Sequence, residues 1–198
     1  MICEMSEGSF DKDLWPTRRK LPLKRKIILL RVQASPLDRT KGRLTIAGIS
    51  FPCVLGRSGL VSAKREGDGG TPRGVLPLRA LLQRRDRGAR IPSALPFHAI
   101  RPEDAWCDDV GDRRYNKPIR RPLDQKSEER LTRADRLYDI IVPLGWNDGP
   151  TVRGRGSAIF WHLSRENRSP TAGCVAVTPD VFRKVLPRLS RKAVMAIG

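Results

Sequence analysis

The chain is short of histidine, aromatic residues and acids. Its 198 residues include two histidines, His98 and His162, and 6% aromatics. Two imidazoles are too few for a histidine-built metal cluster, and they are the only side chains whose ordinary pKa suits a base at neutral pH. The four cysteines, Cys3, Cys53, Cys107 and Cys174, include no Cys-x-x-Cys pair, which excludes zinc-ribbon and thioredoxin arrangements. A Cys53–Cys107 disulfide is the one pairing to consider, and separate thiols are the simpler arrangement. No stretch approaches the ~20 apolar residues of a membrane span, so no transmembrane segment is expected. The first apolar run, IILLRV at 27–32, is short, and MICEMSEGSFDKDLWP before it is acidic where a secretory signal would be basic. Phosphate loops, dinucleotide fingerprints and metal-ligand clusters are missing too, so no metal and no cofactor are expected.

The shortage of acids leaves 39 Lys and Arg against 21 Asp and Glu, a net charge of +18. Such a surface favours an anionic partner: nucleic acid, lipid headgroups or an acidic wall polymer. It equally serves plain solubility, so charge alone selects no partner. The length suits one domain. Residues 1–26, with RRKLPLKRK, read as a flexible basic N-terminal arm, and residues 27–198 as a single catalytic-sized domain.

Gly and Pro are frequent, 17 and 16, which predicts many turns between short elements. KIILLRV reads as a strand, and GRLTIAGISFPCVLGRSG as a hairpin turning at Ala47-Gly48. Residues 75–82 are expected to be one strand, 137–147 another and 156–164 a third. The span from 89 to about 135 is polar and broken by prolines, and reads as a long functional loop. VTPDVFRKVLPRLS carries a helix start, with Thr178 as N-cap, Pro179 and Asp180 in the first turn, and Val181, Val185 and Leu189 on one face. AVMAIG reads as a closing strand. Alternating βα units are absent. The expected fold is mainly β, a β-sandwich or mixed sheet with long loops and one clear helix near the C-terminus.

Chemistry centres on Cys174. A cysteine nucleophile needs a base, and histidine is the usual one. His162 ends one strand, and Cys174 opens the next ordered segment. The polar turn LSRENRSPTAG between them is suited to bring two strand ends together. Gly173 leaves space at the reacting centre, and the N–H groups of Gly173 and Cys174 suit an oxyanion hole. Read from these residues alone, a buried packing cysteine stays the commoner alternative. Asp108, Asp109, Tyr115, Asn116 and Thr171 are candidate substrate contacts, though Asp and Asn equally serve turns. Lys64, Glu66 and Asp68 carry the same two readings. Thr71-Pro72 reads as architectural, and Trp106, Trp146 and Trp161 as packing.

His162, eleven intervening residues and then Cys174, set in T-A-G-C-V, resemble the signature of bacterial L,D-transpeptidases, the YkuD-type catalytic domain. KREGDGGTPRGVLPL resembles that family's upstream Thr-Pro-x-Gly segment. AWCDDVGDRRYN and LYDIIVPLGWN resemble blocks of a short single-domain branch. The resemblance runs from about residue 44 to the C-terminus. It implies Cys174 as nucleophile, His162 as proton donor and acceptor, oriented by the Leu163 carbonyl, and Gly173 in the oxyanion hole. It implies peptidoglycan stem peptides as donor and acceptor partners, with no nucleic acid, and a place in the periplasm or cell envelope. The implied reaction is cross-linking through a cysteine thioester; L,D-carboxypeptidase or D-amino-acid exchange chemistry on the same thioester is the alternative. A basic anionic-polymer binder indifferent to Cys174 is the rival from another class. Two positions depart from the family pattern: Ala176, where Arg or Asn is usual, and Leu163, where Gly or Ser follows the histidine.

Overall fold

The computed structural model describes residues 26–120 and 129–198. The arm expected over 1–26 lies outside the described residues, apart from Lys26. The described residues begin with β1 (Ile27–Ala34), β2 (Lys41–Ile46) and β3 (Ile49–Val54), followed by a short pair, β4 (Leu60–Val61) and β5 (Thr71–Pro72). Next come β6 (Gly74–Pro77), β7 (Leu81–Gln83) and β8 (Phe97–Ala99), then β9 (Asp104–Trp106), β10 (Pro118–Arg120) and β11 (Glu129–Arg130). The last elements are β12 (Ile140–Pro143), β13 (Phe160–Leu163), β14 (Val175–Val177), α1 (Pro179–Val185) and β15 (Leu189–Ile197). The fold is mainly β with one helix near the C-terminus, as expected.

Ten strands form one mixed sheet in the order β6-β15-β1-β2-β3-β14-β13-β12-β7-β8. β6 and β7 are joined by residues 78–80 alone, yet stand near opposite ends of this order. Three residues reach only about 10 Å, so the sheet must curl until its ends approach. Leu78 makes that closure: it bridges to Leu144, and its N–H reaches the Ala193 carbonyl at 3.0 Å. The single strand expected over 75–82 is thus two, divided after Pro77.

Alternation along each strand then defines an inner and an outer face. Leu30, Val32, Leu44, Ile46, Trp161, Val175 and Met195 point inward, where α1 adds Val181, Phe182 and Val185 to the main core. Trp161 stacks on Phe182 with ring centroids 4.2 Å apart. The outer face carries a second, smaller core built from Leu82, Ile141, Phe160 and Cys174 of the sheet with Leu131 and Tyr138 above them. A three-stranded sheet, β10-β9-β11, forms much of this outer cap.

That cap corrects the long-loop expectation: the span from 89 holds β8, β9, β10 and β11. Its strands are two or three residues long, too short to show alternation in sequence. Other differences are at element ends. The strand expected over 137–147 shrinks to β12, because Asp135 caps a 3-10 turn at Arg136–Tyr138. The strand expected over 156–164 begins only at Phe160, after Ala158 turns the backbone left-handed at φ 50°. The helix stops at Val185, before the proline-containing turn Leu186–Arg188, so Leu189 starts β15 instead of extending the helical face. Thr178 has extended N-cap geometry without a side-chain cap bond. The hairpin at Ala47-Gly48 is present, with both residues at positive φ, 48° and 80°, as a tight primed turn requires. Cys53 and Cys107 are not joined: Cys53 lies in the main core and Cys107 in a small cluster within the cap.

Candidate active site

β13 and β14 are parallel, with Trp161 opposite Val175 and His162 opposite Ala176. Cys174 therefore stands opposite Phe160, one step ahead of β14. Period-two alternation sends Phe160, His162, Cys174 and Ala176 to the outer face, and Trp161, Leu163, Val175 and Val177 to the inner core. The two strands thus bring thiol and imidazole to neighbouring positions on one face. Both are deeply buried, at 7% and 5% exposure.

The turn before Cys174 is fixed by its own polar side chains. Thr171 Oγ1 donates to the Cys174 carbonyl at 2.7 Å and accepts from Gly173 N–H at 3.2 Å. Thr71 Oγ1 reaches the same carbonyl at 3.4 Å and accepts from Gly56 N–H at 2.8 Å. Gly173 has φ 140°, and a Cβ there would lie 2.8 Å from the Gly70 carbonyl oxygen. Only glycine fits this close approach of the β4–β5 loop to the turn. Thr71 is architectural as expected. Thr171, a candidate substrate contact from the sequence, spends its hydroxyl on the turn.

Cys174 Sγ accepts from Phe160 N–H at 3.3 Å and donates to the Ala158 carbonyl at 3.3 Å. Burial pushes this thiol up to about 12, opposed by the Phe160 N–H; the charge of Glu129 adds to the rise and that of Lys64 opposes it more weakly. His162 Nδ1 lies 2.8 Å from the Leu163 carbonyl oxygen. A carbonyl only accepts, so Nδ1 carries the proton and Nε2 keeps its lone pair. Burial lowers His162 to about 4, with the Leu163 bond acting the other way. At neutral pH the resting pair is therefore thiol and neutral imidazole.

The Ala158 carbonyl that holds the thiol is itself braced. Ala158 N–H donates to Asn116 Oδ1 at 3.2 Å, which also accepts Trp106 Nε1–H at 3.0 Å. Asn116 Nδ2 donates to the carbonyls of Trp146 and Asn147, both at 2.9 Å. Four bonds exhaust the amide's ordinary capacity in this setting. Asn116, 3% exposed, is a buried strut between the cap and the segment that carries Ala158. Tyr115, 2% exposed, donates to Glu66, which also accepts from Ser157 Oγ at 2.8 Å. Lys64 Nζ pairs with Asp68 Oδ1 at 2.6 Å, and Asp68 also accepts from Arg65 and Gly70 N–H. Tyr115, Glu66, Lys64 and Asp68 thus frame the approach to Ala158. Asp109 is exposed and accepts from Gly111 N–H at 2.8 Å, as turn chemistry dictates. Asp108 is half-buried in the same turn and has partners of its own. His98, the other imidazole, stands on the edge strand β8, 2.7 Å from Asp104 Oδ2 of the cap.

A model of the YkuD family, the L,D-transpeptidase catalytic domain, matches residues 40–197. The chain belongs to this family. No curated protein and no solved structure matches it significantly. The matched span contains every element from the β2 hairpin to β15, and β1 precedes it.

Two residues escaped sequence reasoning. Tyr138 packs edge-on against both His162 and Phe160, with centroids 5.2 and 5.9 Å away. Arg133 lies 5.0 Å over the Tyr138 ring. One signal was available for the first: the chain has two tyrosines, and Tyr115 and Tyr138 both stand in the cap around this YkuD site.

Proposed function

We propose that the protein is an L,D-transpeptidase that cross-links peptidoglycan stem peptides through a thioester on Cys174. The observation that carries this reading is the buried pair of adjacent strand ends, with a protonated thiol on one and an imidazole of fixed tautomer on the other. In the first step, Sγ attacks the carbonyl carbon of an L-centre in the donor stem, and the thiol proton passes to His162 Nε2. The C–S bond forms as the carbonyl oxygen takes the negative charge. Cys174 N–H, with Gly173 N–H once released from its 3.2 Å bond to Thr171, serves as the oxyanion hole for that oxygen. Collapse breaks the C–N bond, and the imidazolium returns its proton to the departing D-amino acid. In the second step an acceptor amine attacks the thioester, His162 takes a proton from it, and the thiol is regenerated.

The resting charges make this route specific. With the thiol near 12 and the imidazole near 4, proton transfer between them is unfavourable until the C–S bond is forming. Transfer and attack are therefore coupled, and a substrate is needed to activate the nucleophile. Burial also keeps water from the thioester, which favours the acceptor amine over hydrolysis. The substrate places the enzyme in the cell envelope, on the periplasmic side of the membrane.

Purified stem peptides test the reading. Cys174→Ala abolishes cross-linked product, and His162→Ala nearly does. Full activity in Cys174→Ala overturns the proposal. Product analysis with and without an acceptor amine separates transfer from carboxypeptidase trimming.

A further inference from the structure

The outer face of the sheet has a second half that the reaction above does not use. His162, Ala176, Val54 and Lys41 pair in one row across β13, β14, β3 and β2, so their side chains leave the sheet on the same side. Toward β12 the cap covers that side. Toward β2 it is open and polar, with Arg31, Gln33, Arg43, Ser50 and Pro52 exposed.

Two cavities of about 210 and 650 Å³ lie on this open side and share Lys41, Gly42 and Pro52. The smaller is lined by Val54, Ala176 and Thr178, with Lys41 and Arg168 as its cations. The larger continues to Arg43, Gln33 and Ser50. No acidic residue lines either one. Among the described residues, Lys41, Arg43 and Arg168 take part in no ion pair. Lys41 Nζ donates to the Arg168 carbonyl, which ties β2 to the loop that precedes Cys174. An ammonium has three hydrogens, so donors remain for a ligand. Asp38, in the neighbouring turn, is held by Thr40 N–H and Oγ1. Unpaired cations above the apolar surface of Val54 and Ala176 concentrate a positive field in the groove.

The spacing relates this groove to the nucleophile. Ala176 is two residues beyond Cys174, roughly 7 Å, and Lys41 is two strands across, roughly 10 Å. An anion in the smaller cavity is then about 10 Å from the thiol, the reach of about three extended residues.

We propose that this groove binds a carboxylate-bearing peptide segment, its anionic group between Lys41 and Arg168 and its chain running toward Cys174. The chain direction rests on the transpeptidase reading; under it, the segment is the part of a stem peptide about three residues from the reacting bond. The groove sets which stem is accepted, through a charge remote from the chemistry.

Calorimetry on the full chain carrying Cys174→Ala tests this, with a tetrapeptide bearing free carboxylates and its fully amidated counterpart as probes. The free peptide is expected to bind about tenfold tighter than the amidated one, and less tightly as salt rises. Lys41→Gln and Arg168→Gln should each weaken the free peptide by about three- to tenfold and leave the amidated one unmoved. Arg168 is exposed, so its variant keeps the test valid if Lys41→Gln fails to fold. In the active protein the same variants raise KM more than they lower kcat. Equal binding of the two peptides overturns the groove, as does a single-stranded oligonucleotide that outcompetes the free peptide. Normal cross-linking with KM indifferent to Lys41 and Arg168 also counts against the groove alone. Carboxylate-dependent binding in a protein that forms no thioester counts against the transpeptidase reading alone.

Discussion

The outer face of the curled sheet is divided between two environments. From β14 to β8 it lies under the cap, where Leu131, Tyr138, Phe160 and Cys174 pack together. From β3 to β1 the same face meets solvent with Arg31, Gln33, Arg43 and Ser50. The inner face is equally apolar behind both halves, so the difference comes from what lies outside. The covered half keeps a thiol and an imidazole neutral by removing water from them. The open half keeps cations charged by leaving them in water. Cys174 and His162 stand at the boundary between the two halves.

Loss of the nucleophile has the largest effect on the covered half. Cys174→Ala removes the proposed nucleophile, and cross-linking is expected to fall to the level of the blank. His162→Gln keeps the volume but removes the base; a fall of about 10²–10⁴ in kcat is expected, read with stem peptides at saturation. Retained activity in either variant would dissolve the distinction between the two halves.

Stability sharpens the comparison next. Leu131 is 2% exposed in the cap, and Leu131→Ala should cost about 2–5 kcal/mol in urea unfolding. Arg31→Ser on the open half should stay within about 0.5 kcal/mol. Comparable losses at both positions would mean that the open half is covered in solution.

The pH dependence follows from the same burial. His162 has a folded pKa near 4, below its ordinary 6.5. As pH falls from 6.5 toward 4, the unfolded chain takes up a proton that the folded protein refuses. Stability present above pH 6.5 is lost through that window, by about 3 kcal/mol in full. Below pH 4 both states are protonated and the loss stops growing. His162→Gln should flatten this part of the stability curve. Cys174, pushed up to about 12 from 9, acts in the opposite direction: stability is lost as pH rises above 9.

The smallest effect concerns the brace. Asn116 and Ala158 both have left-handed backbones, φ 58° and 50°. Asn116→Gly keeps that backbone and deletes the amide, and should lower kcat about tenfold by releasing the Ala158 carbonyl. In an Ala158→Gly background the same deletion should cost about threefold or less, because glycine holds a left-handed φ without support. An equal loss in both backgrounds would assign Asn116 to the cap scaffold and not to the thiol.

Much of the strand order's raw material was legible in sequence, and its closure was not. The Ala47-Gly48 hairpin, the helix start at Pro179 and the last strand follow local rules that one stretch of chain obeys alone. The split after Pro77 does not, because it depends on strands from both ends of the chain meeting at Leu78. The cap was unreadable for another reason: strands of two or three residues carry no period. At the site, the pairing of His162 with the Cys174 turn was legible from spacing and from family resemblance. The roles of Asn116, Tyr115 and Thr171 were not, since a polar side chain on a loop looks the same whether it meets a ligand or a backbone. In the structure their polar atoms meet backbone and neighbouring side chains. Tyr138 was hidden because it comes from a turn that reads as the start of a strand.

The most direct test of the central claim is mass spectrometry of the protein after reaction with a donor stem peptide and no acceptor. The account predicts a thioester adduct on Cys174, with the leaving D-amino acid released and Cys53 and Cys107 unmodified. An adduct on Cys53 or Cys107, or turnover of the donor by protein carrying Cys174→Ala, would contradict it.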